Sequence, residues 1–131
     1  MCMQARRCEG EKSRILVVED DPSVRRALDR VFRSSGYDVE YAVNLAEGMA
    51  KLNGQHFALL DLELPDGSGT ELLQKIRAEG RPIRVAIYSG LFEAAQIVKA
   101  CGESPDAIFQ KPVEFEELLA WLAEMERLPQ E

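Results

Sequence analysis

The sequence has 131 residues, 46% of them hydrophobic, which suffices for one ordinary domain with its own core and no need of disulfides or a structural metal. Sixteen basic against 23 acidic residues give a net charge of −7, which speaks against phosphate-backbone binding and leaves nucleic acid out as an expected direct partner. No apolar run approaches the roughly 18 residues of a membrane span, so no membrane association is expected. The opening MCMQARRCEGEKSR lacks the apolar centre of a secretion signal, and Cys2, Cys8 and Cys101 show no CxxC spacing, a pattern that fits a reducing cytoplasm.

That opening carries Arg6, Arg7, Lys12 and Arg14 against Glu9 and Glu11, net +2, leaving −9 for the remainder. Residues 1–13 are expected to form a flexible solvated tail. Ile15 to Val18 is a short apolar run rich in β-branched residues, the pattern of a strand buried on both faces. It ends in Glu19-Asp20-Asp21-Pro22, where Asp21 can cap a helix that has Pro22 at its first position and Val24, Ala27, Leu28, Val31 and Phe32 at helical spacing. That helix is predicted to end near Ser34, before Gly36.

The alternation repeats with a strand over Val39 to Ala42, a helix over Leu45 to Leu52 and a strand over Phe57 to Leu62. The turn Leu64-Pro65-Asp66-Gly67-Ser68-Gly69 leads into a helix over Thr70 to Ala78. A strand over Ile83 to Tyr88, a helix over Phe92 to Ala100, a strand over Ala107 to Gln110 and a helix over Glu114 to Arg127 complete five βα units. Such an alternation predicts an α/β, doubly wound five-stranded parallel sheet, (βα)5, with strand order 2-1-3-4-5 and right-handed crossovers. One domain over residues 14–128 accounts for the pattern, and only Leu128-Pro129-Gln130-Glu131 follow the last helix, so no output domain is expected.

In such sheets the ligand crevice lies beyond the carboxyl ends of the strands, at the switch point between strands one and three. Glu19 and Asp20 follow strand one, Asp61 ends strand three, Ser89 follows strand four and Lys111 follows strand five. Clustered carboxylates repel unless a cation sits among them, and hard oxygen donors with no competing His or Cys suit Mg2+. Asp20 and Asp61, with the backbone carbonyl of Glu63 two residues on, would hold the metal, leaving Asp61 an oxygen to act as nucleophile. Lys111 and the Ser89 hydroxyl would contact phosphoryl oxygens.

Through ILVVEDDP, LLDLELPDGSG, YSG and FQKPV, residues 14 to 127 resemble the response-regulator receiver family of two-component signalling, which has the flavodoxin-like, CheY-like fold. The resemblance implies Mg2+-dependent transfer of a phosphoryl group to Asp61 from a sensor histidine kinase, a phosphotransfer protein or a small phosphodonor, with a downstream output protein as the second partner. It matches Glu19 and Asp20 to the acidic pair, Lys111 to the lysine and Ser89 to the switch hydroxyl. It also implies a phosphoacceptor and not an enzyme beyond slow self-catalysed phosphorylation and dephosphorylation. The chain departs from the pattern at Ile108, where an aromatic is usual and Phe109 stands one place later. The connection CGESPDA is longer than usual, and Glu63 stands where the family tunes the lifetime of the phosphorylated state.

His56 reads as a surface residue, and Gly67-Ser68-Gly69 fails as a P-loop for want of a following Lys-Ser or Lys-Thr pair. Leu118, Leu119, Trp121, Leu122 and Met125 read as core, with Glu116, Glu117, Glu124 and Glu126 on the solvated face. Leu91 and Phe92 fit either a buried helix start or a partner or homodimer surface. Three other functions compete with this one. An Asp-nucleophile phosphatase like the haloacid dehalogenase group would share Asp61-Leu62-Glu63 but place its nucleophile after strand one. A phosphorylation-independent pseudo-receiver would not need Asp20, Asp61, Ser89 and Lys111 together. A flavin binder would need a hydroxyl- and Gly-rich loop where Glu19 and Asp20 sit.

Overall fold

The computed structural model describes residues 12–128, so most of the expected tail lies outside the described residues. The strands are β1 (Arg14–Val18), β2 (Asp38–Ala42), β3 (Phe57–Leu60), β4 (Arg84–Ser89) and β5 (Ala107–Gln110). The helices are α1 (Pro22–Ser34), α2 (Leu45–Ala50), α3 (Gly69–Ala78), α4 (Ala94–Ala100) and α5 (Phe115–Arg127). All strand pairs are parallel and the order is β2-β1-β3-β4-β5, as the alternating pattern predicts.

Because side chains alternate across a strand, each interior strand feeds two cores. Leu16, Val18, Ala58, Leu60, Val85 and Ile87 face one side, where Leu45, Leu72, Leu73, Ile76 and Val98 of α2, α3 and α4 cover them. Ile15, Val17, Phe57, Leu59, Ala86 and Tyr88 face the other, under Leu28 and Phe32 of α1 and Leu118 and Leu122 of α5. Burying each aliphatic side chain of this kind contributes about 1.5–3 kcal/mol. Leu119, Trp121 and Met125 join the second core as half-buried members, and the Trp121 ring meets Phe57 and Phe109 edge to face at 5.7 and 6.1 Å.

Local chemistry fixes the helix starts that frame the strand ends. Asp21 caps α1 by accepting the Ser23 backbone N–H at 2.9 Å, with Pro22 in the first turn. Ser68 and Glu71 form a reciprocal capping box on α3. Asp66 reaches across to accept the Leu45 and Ala46 N–H groups at 2.7 and 3.1 Å, tying the β3–α3 loop to α2.

Several predicted bounds shift. β3 stops at Leu60, two residues early, although the Asp61 N–H still takes the Val18 carbonyl at 3.2 Å. Helix α2 ends at Ala50, not Leu52, and Leu52 is nonetheless buried. Helix α4 starts at Ala94, not Phe92, and Leu91 gives its N–H to Ser89 Oγ; Leu91 is half-buried against the first core, whereas Phe92 is 92% exposed. Strand β4 runs from Arg84 to Ser89, and α5 begins at Phe115, with Glu114 just before it and making no side-chain cap. Ser13 is buried, its carbonyl accepts the Asp38 N–H at 2.9 Å, and its hydroxyl bonds Glu126. Glu126, expected on the solvated face, also accepts from Tyr37 Oη at 3.3 Å. His56 is half-buried, and its Nδ1 accepts the Arg14 N–H at 3.0 Å.

Gly69 opens α3 against the chain that carries Asp61: a methyl group there would lie 2.2 Å from the Asp61 carbonyl oxygen and 3.1 Å from its carbonyl carbon. Both atoms are backbone, so relief requires moving the loop. Gly69→Ala is expected to destabilise the fold by about 1–3 kcal/mol. Urea unfolding checks this, and an unchanged midpoint would show that the loop yields freely.

Candidate functional site

The carboxyl ends of β1, β3, β4 and β5 bring Glu19, Asp20, Asp61, Ser89 and Lys111 to one edge of the sheet. One carboxylate oxygen each from Glu19, Asp20 and Asp61 lie within 4.8 Å of one another. Glu19 and Asp61 are 1% and 4% exposed, whereas Asp20 faces solvent. Lys111 bridges the two buried acids, with Nζ 2.9 Å from Glu19 Oε1 and 3.1 Å from Asp61 Oδ2. Its backbone N–H donates to the Ser89 carbonyl at 2.8 Å, which ties the β5–α5 loop to the end of β4, and the Lys111–Pro112 peptide is cis.

Three carboxylates against one ammonium leave the group net negative by two. Burial pushes the Asp61 carboxyl above its ordinary range; the Glu63 N–H on Oδ1 at 3.2 Å opposes this, nearby Glu19 adds to it, and Lys111 does not fully offset it. Glu19 goes the other way. Burial raises it, but hydrogen bonds from Tyr88, Lys111 and the Asp21 N–H together hold it below the usual value. Burial lowers Lys111, and the two carboxylates more than restore it, so its ammonium form is favoured. The donors on this edge are hard oxygens, and the uncompensated charge lies where a divalent cation would relieve it, so the residues fit Mg2+.

Ser89 is fully buried at the last position of β4, with Oγ accepting the Leu91 N–H at 3.0 Å. The Glu63 side chain is exposed, and its backbone N–H faces Asp61. Ile108 is 42% exposed on the edge strand, while Phe109 packs inward on Trp121.

Sequence reasoning missed Tyr88 and Arg25. Tyr88 is buried, its hydroxyl donates to Glu19 Oε1 at 2.6 Å, and Lys111 Nζ lies 4.5 Å from its ring centroid. A phenol on an interior strand must find an acceptor, and this was the available signal. Arg25 donates to the Glu19 carbonyl at 2.9 Å, a contact between α1 and the end of β1 that no spacing announces.

The response regulator receiver domain family matches residues 15–123. The acid tolerance regulatory protein ActR of Rhizobium meliloti (strain 1021) is 32% identical over 115 residues, which are 86% of this chain and 59% of that protein. The chain thus spans under two thirds of that regulator's length. A CheY-like receiver domain from Methanospirillum hungatei JF-1 superposes with a TM-score of 0.79 at 31% identity, covering 89% of this chain and 95% of that one. TrrA of Thermotoga maritima, solved in complex with Mg2+ and BeF, gives a TM-score of 0.77 at 25% identity, covering 86% and 98%. Among the described residues no helix is long and apolar enough to cross a membrane.

The opposed shifts fix a pH dependence. Between its ordinary value of 3.8 and its raised folded value, Asp61 holds a proton when folded and not when unfolded, so its contribution to stability falls as pH rises through that window. The Glu19 contribution is present above 4.5 and lost as pH falls through its lowered folded value. Asp61→Asn keeps an acceptor for Lys111 but removes a buried charge, and is expected to stabilise the metal-free protein by about 1 kcal/mol at neutral pH. The gain should shrink on acidification through the carboxylate range, as urea midpoints across pH would show; a variant less stable at every pH would reverse the assigned sign.

Proposed function

This chain belongs to the response regulator receiver domain family, and from that premise we propose that it accepts a phosphoryl group on Asp61 and thereby switches a protein-binding surface. The observation that carries this is the Asp61 carboxylate, buried beside Glu19 and Asp20 and held 3.1 Å from Lys111 at the edge where the strands end. Asp20, Asp61 and the Glu63 backbone carbonyl would hold Mg2+, with Glu19 beside them. When bound there, Mg2+ supplies Lewis-acid neutralisation of the transferring phosphoryl oxygens. The Mg2+ and BeF complex of TrrA supports this choice by likeness.

One Asp61 oxygen attacks phosphorus, the bond from phosphorus to the donor nitrogen or oxygen breaks, and the electron pair leaves with the donor. Lys111 then exchanges its hold on the Asp61 carboxylate for a phosphoryl oxygen, drawn by the negative charge that the phosphoryl oxygens carry. Ser89 can accept the Leu91 N–H and still donate its own proton to another phosphoryl oxygen. The donor is a sensor histidine kinase, a phosphotransfer protein or a small phosphodonor. The recipient of the signal is an output protein or a second copy of the chain, residues 14–128 form the receiver domain, and the cytoplasm is where this exchange takes place.

Intact-mass spectrometry after incubation with acetyl phosphate, with and without Mg2+, tests the proposal. A metal-dependent gain of one phosphoryl group, absent in Asp61→Asn, is the expected result, and labelling that persists in the variant would reject Asp61 as acceptor. Lys111→Ala is expected to remain modifiable while losing most of the phosphorylation-dependent change in partner binding or backbone chemical shifts; an undiminished change would remove Lys111 from the switch.

A further inference from the structure

Three of the roughly four acceptor positions of the Glu19 carboxylate are already used without a metal. Oε1 accepts from Tyr88 Oη at 2.6 Å and from Lys111 Nζ at 2.9 Å, and Oε2 accepts the Asp21 N–H at 3.1 Å. The phenol bond is the shortest of the three and is wholly buried, where a charge-assisted bond is strongest. Yet one Glu19 oxygen also belongs to the group of carboxylate oxygens within 4.8 Å of one another. A cation among them and the phenol therefore draw on the same carboxylate.

Of the three donors, Lys111 carries a full charge and the Asp21 N–H is fixed by the backbone that starts α1. Only the phenol can let go without breaking an ion pair or moving the main chain. Tyr88 also forms part of the wall of an apolar cleft of about 420 Å³ with Val24, Leu28, Pro112, Val113 and Phe115, between α1 and the β5–α5 loop. The ring, 2% exposed, thus has metal-site chemistry at one end and contributes to the cleft wall.

We propose that Tyr88 is a positioning residue that latches Glu19 in the metal-free site, and that Mg2+ binding breaks the latch by drawing the Glu19 carboxylate away from the phenol. The consequence is that the phenol lowers the affinity of the site for Mg2+ and that occupancy is passed to the cleft wall. This rests on the metal site proposed above for the same carboxylates. Loss of one charge-assisted hydrogen bond from the metal-free state alone should tighten Mg2+ binding about three- to tenfold.

The test is calorimetric titration of Mg2+ into the full metal-free chain, with no phosphodonor, for wild type and Tyr88→Phe. The variant is expected to bind Mg2+ about three- to tenfold tighter. In parallel, the ultraviolet difference spectrum of wild type on adding Mg2+ should show a tyrosine band moving to shorter wavelength as a phenol loses its carboxylate acceptor. That band should be missing from Tyr88→Phe and from Glu19→Gln, which keeps Tyr88 but removes the anion, and should persist in Tyr41→Phe. Equal or weaker Mg2+ binding by Tyr88→Phe overturns the latch, as does a band that survives in Glu19→Gln, a result that decides the matter even if Tyr88→Phe folds poorly. Absence of Mg2+ binding by wild type overturns both the latch and the metal site, whereas wild-type binding with no change in the variant overturns the latch alone.

Discussion

One ammonium group holds two carboxylates that the fold has taken out of water. Lys111 lies within 3.1 Å of both Glu19 and Asp61, each almost fully buried, and without it the edge of the sheet would carry an uncompensated pair of anions. The cost of leaving a buried charge unpaired is several kcal/mol, a large part of the stability of a domain of this size. The β5–α5 loop, the end of β4 and the start of α1 are all placed by this requirement. The Lys111 N–H is bonded to Ser89, Arg25 to the Glu19 carbonyl, and the Asp21 N–H to the Glu19 side chain.

The site is also poised by being incompletely neutralised. A single lysine, with Tyr88 and the Asp21 N–H, satisfies Glu19 and leaves Asp61 raised, so Asp61 is the less well compensated of the two buried carboxylates. A residual negative charge attracts a cation, and a carboxylate with a free lone pair serves a phosphoryl acceptor. The same asymmetry makes the charge on Asp61 a cost to the fold.

The aromatic side chains Tyr88 and Phe109 near Lys111 share one face of the sheet. Ile108 stands exposed on β5, while Phe109 and Tyr88, paired across β4 and β5, both point toward α1 and α5. Alternation along a strand leaves no middle course: moving an aromatic by one residue transfers it to the opposite side of the sheet. The polar contact to Glu19 and the aromatic ring beneath the Lys111 ammonium therefore come from β4 and from the α1/α5 side.

The sequence by itself determined the α/β alternation, the strand order and the five polar residues at the strand ends, because apolar runs of strand length separated by helical periodicity allow few topologies. It determined the cap at Asp21 for a local reason, since a cap is an interaction between residues two or three apart. Only the tertiary structure decided where β3 ends, because that depends on its pairing with β1. It alone joined Tyr88 to Glu19 across 69 positions of chain and set Gly69 against the Asp61 carbonyl. Such contacts depend on register between strands and on helix placement to within an ångström, and side-chain periodicity carries neither.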